Sequence, residues 1–549
     1  MVVKFVRDEG KGPAPEDAGT VNVLPTPSRQ LLDRHGARVL DPATAFAIGG
    51  RPAPRSTIFR PGVLLIPSKY LEDPAVLEAI NRVLAEVAMF AVPADQRDGG
   101  GESRQARAAA QFPDLPLRAT LHLREDAKPN VVDAWKAVQY LRNAAQGEEP
   151  ELDPEVANSV SIEHLFFSNA AFGGVPWDTS GVDGTPWDTS GYGPGSSYGR
   201  TRGANRIPVT LQMSPPARTK CETRRAVVAV LDTGIGPHPW FGLKNRANLP
   251  APGSGLLTAP DIQAAIKQTE LDAGISVPTQ LIGDVWDAPA SGQPLIGDLD
   301  TDTGHGLFIA GIIRQSAPEA DVLAIRIIHS DGVAYEADVL LALHLLADRI
   351  RDAEKTNRPE RMVDVLSLSL GYFEETPADT AYTTKIGEAI AELTGLGVLV
   401  VAAAGNDATT RRFYPAGFAD QPVATGSGPQ VISVGALNPN TTKALFSNEG
   451  PWVRCWATGA AIVSTYPTDI RGSGEADREV PDLHRASLDP DDYSAGFAVW
   501  DGTSFAAPLA AAAVTNALVK TASHDSGFKL TTIDRETVVK RAWAALGSL

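Results

Sequence analysis

The sequence predicts an α/β fold, a mostly parallel sheet flanked by helices over residues 216–549, behind a smaller N-terminal α+β unit. Three observations carry this. Strand-like apolar runs at 226–231, 322–328, 363–369, 397–403 and 430–435 alternate with helical spacing at 336–353, 380–394 and 503–520, the pattern of a sheet covered by helices. The runs are nearly continuous (AVVAVL at 226–231, VLVVAAA at 398–404), as a sheet buried on both faces requires. Of the 549 residues, 43% are hydrophobic and 21% charged, which is ordinary globular composition and argues against wholesale disorder.

Residues 1–58 are rich in Pro, Gly and charge and read as an extension with one short strand at Val2–Val6. Residues 59–168 then alternate in type. Gly62–Ile66 is strand-like, 74–87 has helical spacing with Pro74 in the first turn, and Met89–Val92 is a second strand. Arg118–Arg124, a helical pattern at 130–143 and Val160–Phe167 repeat that order. Two split β-α-β units of this kind form a four-stranded sheet with two helices on one face, a ferredoxin-like arrangement.

Residues 169–215 read as a linker. PWDTSG occurs at 176–181 and again at 186–191, GPGSS follows, and apolar residues are too few for a core. The alternative is that Trp177 and Trp187 dock on another surface. From 200 to 225 the charge turns basic, with Arg200, Arg202, Arg206, Arg218, Lys220, Arg224 and Arg225 against Glu222.

The formal charge of −17 suits neither nucleic acid nor anionic lipid as a partner. No apolar run reaches the ~18 uninterrupted residues of a membrane span, and MVVKFVRDEGKGPAPEDAG lacks the apolar core of a secretory signal. The expected location is therefore cytoplasmic, with secretion by another route not excluded. Cys221 and Cys455 are the only cysteines, which excludes a disulfide framework and a thiolate zinc site and reads as two unpaired thiols, the alternative being a single bridge.

Four polar residues sit where strands end or helices begin. Asp232 closes an apolar strand ahead of Thr233-Gly234, where open α/β sheets place ligands; alone it is a turn cap. His305 lies in TGHG (303–306) before the apolar run Leu307–Ile313; alone it is structural. Asn406 follows VLVVAAAG in a Gly-Asn-Asp turn, where it either satisfies turn backbone or donates to a developing oxyanion. Ser504 in DGTSFAAP (501–508) opens an Ala-rich helix, where it is an N-cap or sits in the positive field of the orphan amides. Pro508 is read as lying in the first turn of that helix.

Together, in this order and each beside glycine, they resemble the subtilase (subtilisin-like serine peptidase) family. The motifs are DTGIG (232–236), GHGLFIAG (304–311), SLSLG (367–371), AAGND (403–407) and GTSFAAP (502–508), with FSNEG (446–450) and ATG (457–459) resembling the late strand-and-turn segment. The likeness covers about 222–525. It implies Ser504 as nucleophile, His305 as general base and then acid, and Asp232 holding the imidazole. It implies an oxyanion hole from Asn406 and the Ser504 backbone N–H. A peptide or protein substrate would lie extended along Ser369, Leu370 and Gly371 and along Ala403, Ala404 and Gly405.

The departures are few. Residues 306–311 read Gly-Leu-Phe-Ile-Ala-Gly where the family commonly has Gly-Thr-His-Val-Ala-Gly, and Phe505 replaces the usual Met. The Asp232–His305 gap is long, so 245–300 is expected to be an insertion near the cleft, and 466–497 a second one. The family often carries a chaperone-like propeptide of ferredoxin-like topology, so 59–168 is expected to be an inhibitory pro-domain with cleavage within 169–225; the alternative is a permanent domain. No cofactor is implied. The family often binds structural calcium, and Asp298, Asp300 and Asp302 resemble the start of a calcium loop. Thr303 at the sixth position and Ile309 at the twelfth exclude an EF-hand. Glu374 and Glu375 follow the SLG strand as acidic residues do in the basic-specific branch, which would favour Arg or Lys before the scissile bond. The competing functions are a transpeptidase or macrocyclase on the same site and a catalytically silent binding protein.

Overall fold

A computed structural model describes residues 1–6, 27–48, 53–94, 112–125, 131–168, 206–221, 223–274, 281–288, 299–375, 384–420, 431–472 and 491–549. The PWDTSG repeat with Trp177 and Trp187, Arg200, Arg202, Glu222, Asp298 and much of the 466–497 insertion lie outside the described residues.

The extension carries more structure than its composition suggests. Strand β1 (Val3–Phe5) pairs antiparallel with residues 455–457 at the edge of the main sheet. A helix, Arg29–Arg34, capped by Ser28, leads into β2 (Arg38–Leu40), which pairs with β3 (Thr57–Pro67). The β1 pairing has no local sequence signal, because its partner lies near the other end of the chain.

Strands β3, β4 (Met89–Pro93), β5 (Pro116–Leu123) and β6 (Ser161–Ser168) form an antiparallel sheet in the order β6-β3-β5-β4. Helix Pro74–Ala85 joins β3 to β4, and helix Ala134–Ala144 lies between β5 and β6. Asp73 and Asp133 cap them by accepting from Ala75 N at 2.9 Å and Lys136 N at 3.2 Å. Their apolar stripes (Ile80, Val83 and Leu84; Trp135, Val138 and Leu141) share one core with Phe59, Leu64, Ile66, Leu121 and Ile162.

The main sheet runs from β1 through β16 (Cys455–Thr458), β15 (Ile432–Leu437), β14 (Leu399–Ala403), β12 (Val365–Leu368), β8 (Val227–Asp232) and β10 (Asp321–Arg326) to β9 (Leu256–Thr258). All pairs are parallel except the β1 edge. Helices His305–Ser316 and Thr503–His524 cover one face, Glu336–Thr356 and Thr384–Gly395 the other. This is the α/β sheet read from the sequence.

Thr503–His524 is long and apolar enough to cross a membrane by length and composition, but most of it is buried against the sheet, where Ala506, Ala507, Ala510 and Ala511 permit close approach. Pro508 lies in the second turn of this helix, not the first. Having no N–H, it leaves the Ser504 carbonyl four residues back without its helical donor, and Ser369 Oγ donates to that carbonyl at 2.9 Å.

The 245–300 insertion also builds onto the main sheet. Leu256–Thr258 extends the sheet edge beside β10, and helix Pro260–Asp272 follows it. The chain then returns to the Asp232 turn, where Ile235 bridges Trp286.

Candidate active site

Open parallel sheets expose their carboxyl ends to ligands, and β8, an interior strand between β12 and β10, ends in Asp232. Its Oδ1 accepts from the Thr233 amide at 2.7 Å and faces His305 Nδ1 at 2.7 Å. His305 is the first residue of its helix and is fully buried. Gly306 makes the pairing geometrically possible. A Cβ there would stand 2.3 Å from the Gly234 carbonyl and 3.3 Å from Asp232 Oδ1. The Gly306 amide donates to Thr233 Oγ1 at 3.0 Å, tying the helix start to the turn. Burial opposes the imidazolium, but Asp232 beside it, with Asp302 and Asp287 beyond, outweighs burial and holds His305 above the usual histidine range.

Ser504 is the second residue of helix Thr503–His524 and is fully buried. Its amide belongs to the first turn, which has no intrahelical acceptor. Phe505, next to it, places its ring 5.2 Å from the His305 ring, and Trp500 stands edge-on to that ring at 5.5 Å. His305 Nε2 and Ser504 Oγ are buried and make no hydrogen bond among the described residues.

Asn406 turns its Oδ1 to the Thr503 N–H and hydroxyl, both at 2.9 Å. Gly405, at φ +106°, makes this turn, and a Cβ there would strike Asn448 Nδ2 at 2.1 Å. Asp232, His305, Asn406 and Ser504 are thus drawn together at one end of the sheet.

The expected peptide-binding segments divide. Leu370–Gly371, β13 in the chain, pairs antiparallel with Ser168 and Phe167 of β6. The other face of the groove is β11 (Val333–Tyr335), which pairs with Phe167, Phe166 and Leu165, while Gly332 O accepts from Ser168 N at 2.8 Å. Ala403–Gly405 keep their backbone bonds to Val434, Asn448 and Thr503. The N-terminal unit therefore lays its last strand along the groove, and the Ser168 hydroxyl donates to Asp302, three residues before His305.

Two features went unread in the sequence. Gly332–Tyr335 carries no motif of its own. Arg206, read only as part of a basic stretch, is buried and donates to the Asp300, Thr301 and Thr303 carbonyls at 2.9–3.0 Å, fixing the loop into His305, with its guanidinium 5.1 Å over Trp500. Asp300 meets Arg34 at 2.9 Å, and Asp302 takes Ser168 and Thr301. These carboxylates are thus committed to protein donors and do not fit a calcium cage, and no metal-holding cluster of acids, His or Cys occurs among the described residues. Cys221 and Cys455 are both free.

Residues 223–541 match the sequence profile of the Subtilase family. The chain belongs to the subtilase family. Subtilisin-like protease 12 of Trichophyton verrucosum is 30% identical over 186 residues, covering 33% of this chain and 41% of that protein. Subtilisin-like protease 3 of Pseudogymnoascus destructans is 33% identical over 176 residues, covering 31% and 38%. Subtilisin BL of Lederbergia lenta is 29% identical over 238 residues, covering 42% and 74%. The chain thus spans about two fifths of the fungal relatives it matches. A cold-adapted subtilisin-like serine proteinase aligns with a TM-score of 0.34 at 19% identity, over 56% of this chain and 79% of that one.

Membership corrects one expectation. These fungal and bacterial subtilases are secreted proteins, so the cytoplasmic location does not stand. The physical reason is that compartment is set by short targeting segments that the folded domain does not need, so composition could not decide it.

Proposed function

We propose that this subtilase is a serine endopeptidase made as a proenzyme. The observation that carries the reading is the Asp232–His305 contact at 2.7 Å, buried beside the helix that begins at Thr503 and carries Ser504. In the proposed reaction Ser504 Oγ attacks the scissile carbonyl carbon while its proton passes to His305 Nε2. Asp232 keeps the Nδ1 proton in place and stabilises the imidazolium. The carbonyl oxygen gains negative charge opposite the Ser504 N–H and the Asn406 NH2. Collapse expels the amine, which takes the proton from His305. Water, deprotonated by His305, then cleaves the acyl-enzyme and regenerates Ser504. Substrates are peptides or proteins bound in extended form, and no step needs a cofactor.

The proenzyme part rests on β6. A strand seated between residues 333–335 and 370–371 blocks any other peptide from those edges. On this reading residues 59–168 act as an inhibitory pro-domain, 169–215 as a linker and 216–549 as the catalytic domain, with cleavage in 169–225. Intact mass of wild type against Ser504→Ala tests it. Wild type cut in that segment, with the variant whole, is the expected result. Equal cutting of both, with no fluorophosphonate labelling of Ser504, overturns the peptidase reading. An uncut, fully active wild type overturns the proenzyme part alone.

A further inference from the structure

Successive side chains of a strand alternate in direction, so residues two apart share a face. On β6 the face turned to the subtilase body carries His164, Phe166 and Ser168, and each meets a distinct receptor. Both ring nitrogens of His164 are held by carboxylates of that body, Nδ1 by Glu336 at 2.8 Å and Nε2 by Glu375 at 2.7 Å. The Glu336 carboxylate also accepts the His164 amide at 3.1 Å. The Phe166 ring lies 4.6 Å from Tyr372 and belongs to the apolar cluster on that face of the main sheet. The Ser168 hydroxyl donates to the buried Asp302.

Two carboxylates around one imidazole need a cation, since each ring nitrogen must donate. Burial works against the charged ring, yet Glu375 and Glu336 outweigh it and lift His164 to about 10. Glu336 opens helix Glu336–Thr356, where the dipole favours negative charge. Asp338, two residues on, is matched in the same way by Arg118 of β5 at 2.9 Å. When β6 leaves, Glu336 and Glu375 remain as a two-carboxylate clamp in the floor of the groove. A neutral side chain there would bury the two carboxylates without the cation that both now face, which is costly.

We infer that the groove selects an extended peptide with a cationic side chain in the place of His164, an aromatic one in the place of Phe166 and a hydroxyl in the place of Ser168. This rests on the peptidase reading and on β6 as the occupant that substrate replaces. It differs from a basic preference next to the scissile bond, because Glu375 serves the position four residues before Ser168.

The test compares fluorogenic peptides containing Lys-x-Phe-x-Ser, Gln-x-Phe-x-Ser and Lys-x-Phe-x-Val ahead of the cleaved bond, with Ser504→Ala as blank. The Lys-x-Phe-x-Ser peptide is expected to exceed the Gln peptide in kcat/KM by at least about 10-fold, and the Val peptide by a smaller factor. In the Glu336→Gln/Glu375→Gln double variant the Lys-to-Gln ratio falls toward one. Equal Ser504-dependent hydrolysis of Lys and Gln peptides overturns the inference and leaves the peptidase reading standing. Fluorophosphonate labelling of Ser504 without hydrolysis of any peptide also overturns the inference alone. Neither labelling nor hydrolysis overturns both.

Discussion

His305 Nδ1 lies 2.7 Å from Asp232 Oδ1 although 73 residues separate them in sequence. The contact exists because a strand end and a helix start are brought face to face, with only glycine backbone between them. Both partners are buried, so the Asp232 carboxylate acts strongly on the His305 ring.

The first prediction concerns pH. In the proposed reaction His305 must be neutral to accept a proton, and against the effect of burial its carboxylate neighbours, Asp232 foremost, raise it above 6.5. The acid limb of the kcat/KM profile is therefore expected above 6.5. Asp232→Asn removes the largest raising influence, so the limb moves down while kcat falls by about 10⁴-fold. A pH–rate profile of both proteins checks this. An unmoved limb would detach the two residues.

Asn406 makes a second case. Asn406→Ala is expected to cost about 10²–10³-fold in kcat with little change in KM. Its Oδ1 also anchors Thr503 at the start of the helix that carries Ser504, so a fall in Tm should accompany the loss. Steady-state kinetics with a thermal melt separate the two effects. A change confined to KM would argue against an oxyanion role.

Gly306 tests the close approach. The added methyl of Gly306→Ala would meet the Gly234 carbonyl at 2.3 Å, and helix and turn must separate. A destabilisation of about 1–3 kcal/mol is expected, with loss of activity because the Asp232–His305 contact stretches. Denaturant melts and peptide hydrolysis would show both. An unchanged midpoint would mean that the turn yields freely.

His164 predicts how the N-terminal unit holds on. Its pKa in the folded chain, about 10 against an ordinary 6.5, is raised. Its contribution to stability is therefore fully present below about 6.5 and is lost as pH rises through about 10. The wild type should lose Tm across that window, and His164→Gln should lose it already at pH 7 and show a flatter dependence. Parallel curves for the two proteins would remove His164 from the account.

Much of the fold was legible because apolar runs bounded by glycine announce buried parallel strands. Asp232, Asn406 and Ser504 were found at the ends of such runs or at helix starts, where local pattern and site position coincide. Pro508 lies one turn further into its helix than the sequence suggests, because the helix begins at Thr503. The 245–300 segment also adds a short strand and a helix at a sheet edge that no local signal marks.

By itself the sequence determined the alternation of strands and helices, the order of the four polar motifs and the family they resemble. Those features are written in residues close together along the chain. Only the tertiary structure decided that β6 occupies the groove, that its other edge is 333–335, that Arg206 braces the loop into His305, and that Glu336 and Glu375 clamp His164. Each of these joins groups far apart in sequence. Burial gives such contacts their strength, and burial exists only once the chain has closed around them.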